Sequence, residues 1–300
     1  MEQTLTIDGK TFALLRIQRR GASGVYKGLP APAGARAGGQ AGDGEYLRIG
    51  EPGIIHRHLN IHRKMEEAGI PVPQLIGEGE QGGKAYFIEK SVGEQRLGDA
   101  FAEDWNSQGV IREANFKKFM TIVETYTKAQ LRAPRAEGSK EHLSRGIKLD
   151  ELCNELPEYA IRLREKFKDV FARITIFPSV ITHGDFNPQN LYEDGVIDLE
   201  DAFYAPVGYD PICALTTINV FPDSKEYEYF ARYRFSDAQK SACLAMIDRL
   251  FAEAEFPKVS KYEFEFEFCR VVWCTVGMQK WPKLQQWRYD YLIEKFLGGK

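Results

Sequence analysis

His183-Gly-Asp185-Phe-Asn-Pro-Gln-Asn190, with Asp198 following in Val196-Ile-Asp-Leu-Glu-Asp201, is the stretch on which the reading of this chain turns. It sets a carboxylate and an amide, Asp185 and Asn190, five residues apart, and places a second carboxylate eight residues beyond the amide. Ser179-Val-Ile-Thr182 reads as a short buried strand entering the segment, and Glu193-Asp-Gly195 as a turn between Asn190-Leu-Tyr192 and Val196-Ile197. The expectation is a hairpin with polar groups on both arms. Pro188 fixes one backbone angle inside the loop and Gly184 permits a close backbone approach, so the loop is built for a fixed shape.

Phosphoryl transfer needs this kind of arrangement: one carboxylate meets the acceptor hydroxyl, while an amide and a second carboxylate hold magnesium on the phosphates. The bland reading is a polar surface hairpin. His-Gly-Asp alone is compatible with it, but His-Gly-Asp-x4-Asn followed by Ile197-Asp198 argues against it. The pattern resembles that of the aminoglycoside phosphotransferases and the related choline, homoserine and methylthioribose kinases, as a superfamily rather than as one enzyme. The resemblance implies an α+β, bilobal protein-kinase-like fold. A small N-terminal β-rich nucleotide-binding lobe would occupy residues 1–92, and a larger, mainly helical lobe with the catalytic loop and acceptor site residues 93–300. It also implies ATP or GTP as phosphate donor and magnesium-dependent transfer of the γ-phosphate to a small-molecule hydroxyl. On that reading Asp185 orients the hydroxyl and accepts its proton, and Asn190 and Asp198 hold Mg2+. His183 either shapes the loop through hydrogen bonds or takes a direct chemical part.

Composition agrees with such an enzyme. A chain of 300 residues, 43% hydrophobic and 28% charged, can bury a sizeable core in one large or two coupled domains. A net charge of −3 offers no electrostatic footprint for nucleic acid, and no block of like charge marks a membrane-surface tail. A small molecule is the expected partner. The first residues, Met1-Glu-Gln-Thr-Leu-Thr-Ile-Asp, have no basic start or apolar core, and no long apolar run occurs, so the expectation is a soluble cytoplasmic protein. The five cysteines lack C-x-x-C spacing and read as reduced packing residues. His56, His58 and His62 form the other metal-like cluster, but nothing completes a site, and a solvated or capping role is expected.

In the first hundred residues Thr4–Ile7, Thr11–Ile17 and Val25–Lys27 are strand-like, with Gly21-Ala-Ser-Gly24 as a small-residue turn whose N–H groups are free to face phosphate oxygens. The turn resembles the phosphate-covering loop of aminoglycoside phosphotransferases, which singles out Ser23. Residues 30–44, rich in Gly, Ala and Pro, read as a flexible insertion between strands. Glu45–Ile49 resumes as a strand where the family carries its phosphate-binding lysine, and the aligned residue is Arg48, with Lys27 a poorer positional substitute. Ile54 to Ala68 has helical spacing and stops at Gly69 before Pro71 and Pro73. In the family this helix supplies a glutamate for the lysine; the corresponding stretch here is His58-Leu-Asn60, and Glu66 and Glu67 fall about two turns late. Gly69–Ile76 and Lys84–Glu89, separated by a Gly-rich turn over 77–83, read as a second hairpin leading to the interlobe hinge. There the resemblance assigns purine recognition to the main chain of Glu89 and Ser91, with Ile88 lining the pocket.

From Leu97 to Phe171 the chain is mostly helical, with Phe116, Phe119, Met120, Ile122, Val123 and Tyr126 near a period of 3.6. Further helices follow over Asp237–Ala254 and Tyr262–Met278. In the latter, Tyr262, Phe264, Phe266 and Phe268 alternate with Glu263, Glu265 and Glu267, a pattern that suits a strand as well; helix is preferred because the apolar run continues through Val271-Val-Trp273. Glu200 and Asp201 either face a cationic acceptor or, for Asp201, cap a turn. With Glu263, Glu265 and Glu267 they are candidates for an acidic acceptor wall, and Trp273, Trp281 and Trp287 equally suit a choline-like or sugar ligand. Two other functions compete: a nucleotide-binding regulatory pseudokinase, favoured by Arg48 and the absent helix glutamate, and a protein kinase-like enzyme, disfavoured because no Asp-Phe-Gly or Ala-Pro-Glu follows.

Overall fold

The computed structural model describes residues 4–17, 23–28, 44–222, 233–278 and 280–299. The expected insertion over 30–44 lies outside them apart from Gly44, as does the first half of the Gly21–Gly24 turn. The chain is an α+β protein of the bilobal kinase-like class. It divides into two compact units, one formed by residues 1–67, 71–94 and 194–200 and the other by 68–70, 95–193 and 201–300.

The first unit is built on a six-stranded antiparallel sheet, in which β1 (Thr4–Ile7), β2 (Lys10–Ile17), β3 (Ser23–Gly28), β4 (Glu45–Gly50), β5 (Leu75–Gln81) and β6 (Lys84–Lys90) lie in the order β1-β2-β3-β4-β6-β5. Alternation along the strands separates two apolar layers. Ile7, Phe12, Tyr26, Leu47, Ile49, Tyr86 and Ile88 cluster on one face. Ala85 and Phe87, from the other face of β6, pack with Ile55 and Leu59 of α1 (Pro52–Glu67). The second hairpin differs from expectation. The strand starts at Leu75, after both prolines, and runs through the glycines to Gln81, leaving only Gly82 and Gly83, both at positive φ, for the turn. Pro71 and Pro73 have no N–H to give a ladder, whereas Gly77 and Gly79 do.

The second unit is helical. Its α2 (Leu97–Gln108), α3 (Glu113–Arg132), α4 (Lys140–Gly146), α5 (Leu149–Glu155), α6 (Ala160–Ile174), α7 (Tyr209–Thr216), α8 (Asp237–Glu253), α9 (Glu263–Thr275) and α10 (Pro282–Phe296) surround one two-stranded ribbon of β7 (Ser179–Thr182) and β8 (Phe203–Pro206). The expected period of α3 holds, with Phe116, Phe119, Ile122, Val123 and Tyr126 buried and Met120 half-buried at the edge of that face. Residues 263–275 are helical, as preferred, because they run through the interior against α5, α6, α7 and α10, and both sides of the helix find apolar partners. All five cysteines are buried and unbridged. Among the described residues no helix is long and apolar enough to cross a membrane.

Candidate active site

The expected hairpin after the His-Gly-Asp loop is reduced to single bridge residues, Leu191 and Val196, on either side of bends at Glu193 and Asp194. The regular strand pairing is that of β7 with β8, and the chain between them also carries 3-10 turns at Pro188–Asn190 and Leu199–Asp201. Ahead of Asn190 the loop is shaped by its own polar groups: Asn187 Oδ1 accepts from Gln189 N–H at 2.9 Å, closing an Asx turn.

The loop is shaped from below by a residue the sequence reading did not single out. Asp210, at the start of α7, is fully buried. Its Oδ2 accepts from Tyr126 Oη–H at 2.7 Å, Gln130 Nε2 at 2.8 Å and His183 N–H at 2.8 Å, and its Oδ1 accepts from Gly184 N–H at 3.2 Å. Burial pushes the Asp210 carboxyl above its ordinary value, with His183 and the hydrogen-bond donors opposing that shift. The backbone of the His-Gly-Asp segment therefore hangs from one carboxylate. Gly184 adopts φ +80°, and a Cβ there would lie 2.1 Å from the Asp201 carbonyl oxygen, so no other residue fits. His183 is wholly buried and its Nδ1 lies 3.3 Å from Asp185 N, which places it in the loop's framework.

Asp185 is half-buried on this frame. Its Oδ1 accepts from Asn187 Nδ2 at 2.9 Å and from Arg270 Nη2 at 2.6 Å, and its Oδ2 accepts from Asn190 Nδ2 at 3.2 Å. Asn190 Nδ2 also donates to the Asp185 carbonyl at 2.9 Å. Both amide protons are spent on Asp185, and the amide oxygen is the atom Asn190 has to offer a cation. Gly98 of α2 makes room for this turn, since a Cβ there would meet the Gln189 side chain at 2.5 Å.

In the first unit, Arg48 of β4 is buried and has two acidic neighbours: Glu89 Oε1 3.2 Å from its Nε and Asp198 Oδ1 3.6 Å from Nη1. The acid hydrogen-bonded to Arg48 is thus Glu89, on the neighbouring strand β6, rather than a glutamate of α1. Arg48 and Glu89 sit diagonally on one face of the β4–β6 ladder, in which Arg48 is opposite Phe87. Burial opposes the Arg48 charge, but Glu89, then Asp198 and Glu200, outweigh it and hold the guanidinium above its ordinary value. Asp198 takes φ +69°, a strained conformation for a residue with a Cβ and one that persists where the surroundings over-determine it.

His58 and His62 are not solvated. They share the inner face of α1 with Ile55, Leu59 and Met65, and with Arg48, Glu89, Asp198 and Glu200 they line a cavity of about 10 Å³, room for a single water-sized sphere. Their i, i+4 spacing put them on one face, and the apolar residues around them made that face the inner one; His56, on the other face, is exposed. Burial, then Arg48, lowers His58 to about 4, and burial lowers His62 as well, so both rings are neutral. Among the described residues no cluster of metal-binding type occurs.

The remaining expected residues are dispersed. Ser91 N–H donates to the Gly44 carbonyl at 2.6 Å and Ser91 Oγ to Gly93 O at 2.6 Å. Ile88 faces the apolar layer opposite Arg48. The backbone of Ser23 opens β3; its side chain lies outside the description. Glu200 lines the Arg48 cavity, and Asp201 lies 3.8 Å from Lys148. On α9, Glu263 pairs with Lys240, Glu265 with Arg173 at 3.0 Å and Glu267 with Lys295 at 2.7 Å, so each carboxylate is matched by a cation of its own unit. The α9 residue that does reach the loop is Arg270.

The sequence model of the phosphotransferase enzyme family matches residues 40–244, more than half of the chain. The chain belongs to that family. No curated protein sequence matches this phosphotransferase. Its fold is similar to that of a thermostable mutant of aminoglycoside phosphotransferase APH(4)-Ia in ternary complex with AMP-PNP and hygromycin B, at 13% identity and a TM-score of 0.55, covering 96% of this chain and 94% of the other. Plasmodium vivax ethanolamine kinase is similar at 11% identity and a TM-score of 0.52, over 99% and 83% of the two chains. An aminoglycoside-3'-phosphotransferase of type VIII is similar at 13% identity and a TM-score of 0.50, over 87% and 93%.

Proposed function

We propose that this phosphotransferase is a small-molecule kinase that transfers the γ-phosphate of ATP, or of GTP, to a hydroxyl of an aminoglycoside-like, amino-alcohol or sugar acceptor. The observation that carries the proposal is the Asp185 carboxylate, held on a loop whose backbone is fixed by Asp210 and whose side-chain geometry is fixed by Asn187, Asn190 and Arg270. A base anchored in this way orients one hydroxyl and takes its proton as attack proceeds. The acceptor O–H bond breaks and its proton passes to Asp185, a new oxygen–phosphorus bond forms, and the bond from the γ-phosphorus to the bridging oxygen breaks, releasing the nucleoside diphosphate. The AMP-PNP and hygromycin B complex and the ethanolamine kinase among the structural relatives support ATP as donor and polyhydroxyl or amino-alcohol acceptors.

Magnesium fits the donor set, since the amide oxygen of Asn190 and the carboxylate of Asp198 are the hard oxygen ligands this cation takes. When bound it supplies charge neutralisation on the phosphate oxygens. Arg48, oriented by Glu89, supplies a fixed positive fork for the nucleotide phosphates; Ser23 belongs to the phosphate-covering turn and the main chain about Glu89 and Ser91 to the purine side, while Ile88 packs in the apolar layer on the opposite face of the sheet. The regulatory pseudokinase keeps one observation in its favour, the arginine where the family has lysine, because its reach and geometry differ.

Thermal shift with ATP and GTP, with and without magnesium, on wild type and Asp198→Asn tests the nucleotide site. Magnesium-dependent stabilisation lost in the variant is expected. Hygromycin B and ethanolamine then serve as acceptors, with ADP release lost in Asp185→Ala. Stabilisation by nucleotide without any turnover establishes the pseudokinase instead.

A further inference from the structure

We infer that Arg270 of α9 is a positioning residue for the catalytic base: it pins Oδ1 of Asp185 and thereby selects Oδ2 as the oxygen that receives the acceptor proton. The inference rests on the small-molecule kinase reading and adds to it a residue from outside the loop motif.

A carboxylate oxygen has two lone pairs to offer. Oδ1 of Asp185 uses both, one on Asn187 Nδ2 at 2.9 Å and one on Arg270 Nη2 at 2.6 Å. Oδ2 has a single, longer partner, Asn190 Nδ2 at 3.2 Å, and so keeps capacity to accept from a hydroxyl. Arg270 is itself fixed. It is 3% exposed, its Nη1 donates to the Gly184 carbonyl at 3.2 Å, and its guanidinium lies 4.5 Å from the centroid of the Trp273 ring. The same side chain thus holds the backbone before Asp185 and the carboxylate of Asp185. Two N–H groups set in a rigid plane can do this and an ammonium cannot, because only the fork fixes two acceptors at defined angles.

The role also accounts for a burial that stability alone does not favour. A fully buried guanidinium costs free energy unless paired, and one of its nitrogens, Nε, has no hydrogen-bond partner. Burial is the largest influence and opposes the Arg270 charge, but Asp185, first among the neighbours, and the groups around it together hold the guanidinium above its ordinary value. A residue retained only for packing on Trp273 would not need its charge aimed at the base.

The test is steady-state ADP release from magnesium-ATP with ethanolamine or hygromycin B as acceptor, for wild type, Arg270→Lys, Arg270→Met and Arg270→Ala. Loss of a positioned base costs on the order of 100-fold in kcat. Arg270→Met is expected to lose about that factor with the nucleotide KM unchanged, Arg270→Lys to recover only part of it, and millimolar guanidinium to restore turnover in Arg270→Ala without raising its melting temperature. A structural role would move the melting temperature and would give no guanidinium rescue. Wild-type turnover with Arg270→Met retaining kcat within about threefold overturns the positioning role and leaves the kinase reading standing. Absence of wild-type turnover with every acceptor overturns both.

Discussion

Replacing Asp210 tests how the His-Gly-Asp loop is held. Four donors converge on its carboxylate: Tyr126 Oη, Gln130 Nε2 and the backbone N–H groups of His183 and Gly184. In Asp210→Asn the least costly placement puts the new NH2 at the Oδ1 position, where it faces the Gly184 N–H, donor against donor. One buried donor left unmade costs about 1–3 kcal/mol, and turning three charge-assisted bonds into neutral ones costs roughly 1 kcal/mol more for each. Relief of the buried charge, which pushes the Asp210 carboxyl upward, offsets part of this. A net loss of about 3–4 kcal/mol remains, a large share of the 5–15 kcal/mol that stabilises a typical domain. At roughly 2–4 °C per kcal/mol the melting temperature should fall by about 6–15 °C. Because His183 and Gly184 set the position of Asp185, kcat should fall along with stability. Asp210→Ala removes an acceptor from all four donors and leaves a cavity; it spares the second bonds of Gln130 Nε2 to the Ile181 carbonyl and of His183 N–H to Tyr126 Oη, both at 3.1 Å, but should not accumulate as folded protein. Scanning calorimetry and ADP release on the same preparation decide the matter. A melting temperature within about 2 °C of wild type in Asp210→Asn, with full turnover, would refute the idea that this carboxylate carries the loop.

Gly184→Ala places a Cβ 2.1 Å from the Asp201 carbonyl at a φ of +80°, and should cost more than about 2 kcal/mol and abolish turnover; normal activity in that variant would show that the loop can move aside. Glu89→Gln weakens the partner of a buried Arg48, 3.2 Å away, and is expected to raise the nucleotide KM about tenfold with a smaller change in kcat, read from ATP saturation curves. His58 is lowered to about 4 from an unfolded value near 6.5. A depressed histidine means that the unfolded chain binds the proton more tightly, so stability is constant above pH 6.5, falls as the pH drops towards 4 and levels below it, by at most about 3 kcal/mol. Urea midpoints between pH 7 and pH 4 should show that slope, and His58→Gln should flatten it.

Much of the protein was legible in the linear sequence, because the signals concerned were local. Asp185 and Asn190 lie on one short loop and need only their spacing and the turn residues Gly184 and Pro188 to be recognised. Proline and glycine bounded α1, and the period of Phe116 to Tyr126 marked α3. Each of these follows from backbone sterics and side-chain alternation within a few residues. The β5 boundary was misplaced and the hairpin after Asn190 is shorter than expected for a related reason: both were read from glycine and turn content, whereas strand pairing is settled by which N–H groups find a partner.

Tertiary structure decided the charges. In the chain, Arg48 lacks its usual acid, His58 and His62 stand on a polar-looking helix, and three glutamates alternate with aromatics on α9 in the manner of a ligand wall. Folding pairs Arg48 with Glu89 from 41 residues away, turns the histidines inward, and gives each α9 glutamate a cation from elsewhere in its unit. It also brings Asp210 and Arg270 to the loop, 26 and 85 residues from their nearest partners there. No local pattern announces such pairs. A buried charge must find a partner of opposite sign, and which partner it finds depends on the fold that encloses it. The sequence by itself thus determined which polar side chains share the loop and the class of fold; the packing of the helical unit and the register of the sheet determined which residues hold those side chains in place.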